Sequence, residues 1–157
     1  DTVMFWLVGS LAGIKWNQIM MILPCIVIAV IVTVFMGRQL TIMELGDDIA
    51  RSLGQRTEIV RMIIGLLVIV LAGMSVSIAG PIGFVGLIVP HIVKRYVSKN
   101  YLVMLPLTFI FGADLLLISD VLCRLITYPF ESPVGIVTSF VGAFYFLFIT
   151  VRGVNRV

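Results

Sequence analysis

Residues Met62 to Val93 run for 32 positions without an Asp, Glu, Lys or Arg. One straight helix of that length would measure about 48 Å, against a bilayer hydrocarbon core of about 30 Å, and tilt does not absorb the surplus. Within the run stands GPIGFVGLIVPHIVKR, Gly80 to Arg95, interrupted by two prolines and three glycines. The break at Gly80-Pro81-Ile82-Gly83 therefore predicts two helices, one leaving and one returning. Composition agrees: 61% of the chain is hydrophobic and 12% charged, where soluble domains are near half and a quarter. The expected fold is all-α, a polytopic transmembrane bundle of about five spans, with no room for a soluble domain.

The remaining spans are read at Ile19–Met36, with Pro24 in its first turns, at Leu102–Ile126 and at Val134–Val151. Charge orients them. Arg38, Arg51, Arg56 and Arg61 follow the first span, Lys94, Arg95 and Lys99 follow the broken run, and Arg152 and Arg156 close the chain. These are nine of the eleven basic residues, so all three segments, the carboxyl terminus included, are expected in the cytoplasm. Lys15 and Arg124 fall on the other side. The net charge of +3 is then a topology signal and implies no nucleic-acid partner. Asp1 in place of Met, with no basic n-region or cleavage site behind it, predicts that the chain starts inside a longer protein.

The longest polar stretch is LTIMELGDDIARSLGQRTEIVR, residues 40 to 61. Leu45, Ile49 and Leu53 recur at i, i+4 and i+8, while Asp47, Asp48 and Arg51 take other faces around Ala50. This predicts a short amphipathic cytoplasmic helix bounded by Gly46 and Gly54. Thr41 to Glu44 matches a capping box. A helix of about two turns needs a surface. That surface is either the protein's own helix ends and the headgroups, or a cytoplasmic partner.

Other candidates carry open alternatives. Gly80 and Pro81 make an inter-helix turn or line a transport path, since freed backbone at that depth needs protein or a wet cavity. His91 beside Pro90 is a hydrogen-bonded helix-end residue, or else a metal ligand or proton relay. Asp120 and Arg124, four apart, pair on one helix face or serve substrate. Asp114 lies deeper and has no evident partner. Gly9 and Gly13 fit a small-xxx-small helix-packing pattern. Phosphate-loop, H-E-x-x-H and G-x-S-x-G motifs do not occur, and Cys25 and Cys123 have no metal-ligand spacing. No cofactor, metal site or catalytic residue is expected.

Taken with WLVGSLAG (Trp6 to Gly13) and Trp16, ELGDDIARSLG (Glu44 to Gly54), Gly112-Ala113-Asp114, Asp120 to Arg124 and ESPVGIVT (Glu131 to Thr138), the sequence resembles the FecCD family. These are permease subunits of ABC importers for iron–siderophore complexes, haem and cobalamin. The resemblance implies that residues 1–157 are the carboxyl-terminal half, spans six to ten of ten, of a bacterial cytoplasmic-membrane permease. It further implies a second permease subunit, a cytoplasmic ATPase dimer and an extracytoplasmic substrate-binding protein. The loop Leu45, Gly46, Asp47, Asp48, Ala50, Arg51, Leu53 and Gly54 would couple to the ATPase, and Arg124 would dock the binding protein. Gly80, Pro81, Gly83, Pro133, Gly135 and Thr138 would line the path or pack helices. A different reading makes Asp114, Asp120 and His91 the acid–base or metal groups of a membrane-embedded enzyme. A third makes the chain an ATP-independent carrier.

Overall fold

A computed structural model describes residues 9–11, 13–97, 100–127 and 133–154. Among them the chain forms seven helices: α1 Trp16–Phe35, α2 Gly37–Met43, α3 Asp47–Ser52, α4 Thr57–Ala79, α5 Val85–Tyr96, α6 Tyr101–Thr127 and α7 Val134–Val154. Three of these, α1, α4 and α6 to Ile126, are long and apolar enough to cross a membrane. Three of their hydroxyls are satisfied within the helix. Thr33 donates to Ala29 O at 2.7 Å, Ser75 to Leu71 O at 2.8 Å and Thr108 to Met104 O at 2.7 Å, each one turn back in its own helix.

The broken run does divide, but not into two matching spans. The outgoing limb α4 has 23 residues, about 35 Å at 1.5 Å per residue. Gly80 ends it in a left-handed φ of 71° with its N–H on Val76 O, and Pro81 cannot continue a helix. The returning helix α5 has only 12 residues, about 18 Å. Non-helical backbone from Gly80 to Phe84 joins the two limbs. That stretch closes in a tight bend at Phe84, where Val85 N donates to Gly83 O at 2.9 Å. Loss of helical geometry begins early because Pro81 lacks an N–H and glycine at 80 and 83 favours other conformations.

Helix α6 is the hub, packed against α1, α2, α5 and α7, while α4 packs chiefly on α1. Burial is concentrated on α5, through Ile88, Val89 and Val93, and on α7, through Val134 and Thr138. Few residues in the membrane-length windows of α1, α4 and α6 are buried, as in helices that face lipid or further protein.

Three local expectations are corrected. Pro24 is the ninth residue of α1, not in its first turns, so Met20 O loses its helical donor there. Thr41 does not cap. It lies inside α2, donates to Gly37 O at 2.8 Å and accepts Tyr101 N at 3.0 Å, serving a free N–H at the start of α6. Gly9 and Gly13, expected to pack helices, both have positive φ, 77° and 80°, outside any helix.

Candidate functional site

Two constellations emerge, one at the basic end of the bundle and one at the break. At the basic end α2 and α3 bridge α1 to α4. A methyl on buried Gly37 would meet Leu102 Cα and N at 3.0 Å, so glycine lets α2 lie directly on the start of α6. Gly46, at φ 115°, and Gly54, at φ 81°, bound the six-residue α3. Leu45 and Leu53 thus flank the helix rather than belong to it.

Which side of this platform faces inward follows from its bonds. Ala50 is fully buried, whereas Leu45, Ile49 and Leu53 are 60%, 49% and 65% exposed. Asp47 takes a two-pronged hydrogen bond from Arg61 Nη2, 3.1 and 2.9 Å to its two oxygens. Arg51 donates through Nε to Thr57 at 3.3 Å and pairs with Glu58 at 3.7 Å. Gln55 reaches back to Gln39 O at 3.1 Å. Asp48 stays exposed, its backbone carbonyl taking the Ser52 hydroxyl at 2.7 Å. Charges at 47 and 51 therefore tie the platform to α4, and the leucine–isoleucine face looks away from the protein. Glu44, in the turn before α3, accepts a hydrogen bond from Lys94 Nζ of α5 at 3.1 Å. That bond, with the carboxylate's charge, holds the Lys94 amine above its ordinary pKa.

The second constellation gathers Gly80, Pro81, Gly83, Pro133, Gly135 and Thr138 around the break. Ser10 N donates to Ala79 O at 2.9 Å and Gly135 N to Gly9 O at 3.3 Å. A methyl on Gly9 would stand 2.8 Å from Pro81 O. One on Gly83 would stand 3.7 Å from Ser139 Oγ. Pro133 O takes Ile136 N at 3.1 Å and the buried Thr138 hydroxyl donates to Gly135 O at 3.1 Å. The non-helical Gly9-Ser10 stretch thus bonds the last residue of α4 and the first turn of α7, holding both helix ends at the break.

Phe84 and Gly142 complete this joint, and sequence reasoning passed over both. Phe84 takes a left-handed φ of 67°, uncommon for a bulky residue, and its side chain occupies the place a Cβ on buried Gly142 would need.

Asp114, Asp120 and His91 are not brought into one site. Asp120 accepts from Arg124 Nε at 2.8 Å, with the arginine side chain 67% exposed and Asp120 20%. Asp114 lies on the exposed face of α6, six residues earlier and about 120° around the helix. His91 meets Tyr145 edge-on, ring centroids 6.3 Å apart. Among the described residues no three His, Cys, Asp or Glu side chains cluster as metal ligands do. Glu131 and Ser132 lie outside the described residues, as do Trp6 to Val8 and Ala12.

Long apolar helices, a broken limb and a charged platform at one end define a polytopic membrane protein. Residues 1–152 match the profile of the FecCD transport family, and the chain belongs to that family. The Fe(3+)-citrate import system permease protein YfmD of Bacillus subtilis (strain 168) is 41% identical over 155 residues, 99% of this chain and 46% of that protein. The iron(3+)-hydroxamate import system permease protein FhuB of the same organism is 39% identical over 150 residues, 96% of this chain and 39% of that one. Among solved structures, a chain described as a metal-chelate type ABC transporter in an inward-facing conformation superposes with a TM-score of 0.89 at 28% identity. The match covers 96% of this chain and 50% of that chain. The chain spans about half the length of the relatives it matches.

Proposed function

We propose that the chain is the carboxyl-terminal half, spans six to ten, of a permease subunit of a binding-protein-dependent ABC importer whose cargo is an iron–siderophore complex. The observation that carries the reading is the family match across residues 1–152, joined by relatives whose names specify iron(3+)-citrate and iron(3+)-hydroxamate import. The permease works in the bacterial cytoplasmic membrane with its basic end and carboxyl terminus in the cytoplasm, as the positive-inside rule requires. It pairs with a second permease subunit, homologous or identical, and hydrolyses nothing itself.

In this reading the outward apolar face of Leu45, Ile49 and Leu53 seats in a cleft of the cytoplasmic ATPase. Asp47 and Arg51, bonded to Arg61, Thr57 and Glu58, hold that face in position. Exposed apolar residues rimmed by charge are what a docking surface offers. At the other end Arg124 pairs with Asp120 yet leaves its side chain mostly exposed, free to receive a carboxylate from the extracytoplasmic binding protein. Gly80, Pro81, Gly83, Pro133, Gly135 and Thr138 pack the helices that frame the path.

The test is uptake by proteoliposomes holding the full-length permease, its ATPase and its binding protein. Ferric-siderophore accumulation that requires ATP and all three components is expected. Uptake that persists without ATP would establish a carrier instead, and turnover of a substrate by the permease alone would establish an enzyme.

A further inference from the structure

We propose that α5 is the lever that carries displacement of the α3 platform into the membrane, and that the Lys94–Glu44 pair is its link. The inference rests on the ABC-importer reading above. Glu44 stands two residues before Gly46, in a turn stiffened by Leu45 N to Ile42 O and Gly46 N to Met43 O, both 3.1 Å. Movement of α3 therefore moves the Glu44 carboxylate. Lys94 Nζ, 3.1 Å away, sits in the last turn of α5, so the movement passes to that helix.

The lever is short, and although Pro90 inside it leaves Gly86 O without its helical donor, side-chain packing holds it as one body. Ile88, Val89 and Val93 bury one face of α5 in packing with α6 and α7, and packed faces shift as bodies rather than deform. Its opposite end is not helical: Gly80 to Phe84 is irregular backbone, which absorbs a change in φ and ψ without breaking an α-helical ladder. Phe84, at φ 67° against Gly142 of α7, is the first residue an axial shift of α5 would displace. Helix α4, although joined to α3 by Asp47–Arg61, is continuous for 23 residues and has no such joint along its length.

A pair this exposed, 52% at Lys94 and 23% at Glu44, contributes little to folding, so transmission can be separated from stability. The experiment uses proteoliposomes of full-length permease, ATPase and binding protein, and reads ferric-siderophore molecules taken up per ATP hydrolysed, alongside thermal unfolding. Lys94→Glu and Glu44→Lys should each lower that ratio by about threefold or more, with unfolding temperature unchanged. The charge-swapped double variant should return to within about twofold of the parent. Single variants that keep the parental ratio, or a double variant no better than the singles, would overturn the link. If Lys94→Glu assembles poorly, Lys94→Gln provides the neutral comparison, with a lowered ratio expected and an unchanged one contradicting the proposal. A parent without ATP-dependent uptake sinks the importer reading itself; a coupled parent with insensitive variants sinks the lever alone.

Discussion

The platform around α3 and the break at Gly80 both depart from helical geometry, and glycine serves each differently. Around α3, Gly46 and Gly54 have positive φ, and a Cβ added to either would meet nothing within 4 Å. Glycine is there for backbone conformation, on a platform whose leucines and isoleucine face outward. At the break, the helical Gly142 is required for space, because Phe84 fills the volume a side chain would take. Gly9 answers to both needs, with φ 77° and Pro81 O close by. An exposed docking element needs a fixed shape and free surroundings. A joint within a bundle needs close backbone contact, because freed N–H and C=O groups there must find protein partners.

Substitution separates the two uses. The largest effect on stability is expected at the joint. Gly142→Ala forces Phe84 aside, and because the overlap is with the root of that side chain the overpacking cost lies at the top of the range of about 1–3 kcal/mol, against roughly 1 kcal/mol gained in helix propensity. Thermal unfolding of the full-length permease in detergent should fall accordingly. The same change at Gly73 in α4, where a Cβ meets nothing within 4 Å, should leave unfolding unchanged or raise it. Equal losses at the two sites would erase the distinction drawn here.

A smaller effect is expected at the platform. Gly54→Ala places a Cβ in a left-handed conformation and costs about 1–2 kcal/mol locally, whereas Gly54→Asn, which tolerates that region, costs less. Protease susceptibility of the 40–61 segment should rise more for alanine than for asparagine. If the order reverses, conformation is not what glycine supplies at that position.

Much of this was legible in the sequence, and the reasons are physical. A charge-free run too long for one span forces a break, and the clustering of arginine and lysine fixes which ends of the helices lie together. Those signals located the break at Gly80 and the amphipathic segment at Leu45 to Leu53. The length of each limb was not legible, because apolar composition is the same for a 23-residue helix and for a 12-residue helix preceded by irregular chain. Periodicity found the face of Leu45, Ile49 and Leu53 but not its direction. That was decided by long-range partners, Arg61 to Asp47 across 14 residues and Lys94 to Glu44 across 50. Phe84 against Gly142 is likewise a contact between distant segments, and neither residue has a sequence signature. Only Asp120–Arg124, four apart on one helix, could be read from spacing alone.

If the proposed importer reading holds, the outward face of the platform transmits ATP hydrolysis while contributing almost nothing to the fold. Leu53→Asp tests it most directly, because the side chain is exposed and far from the joint's packing. In proteoliposomes of the complete importer, the variant should unfold at the parental temperature and keep its place in the membrane. Its ferric-siderophore uptake per ATP should fall toward zero. Full coupling in Leu53→Asp, at parental stability, would contradict the account.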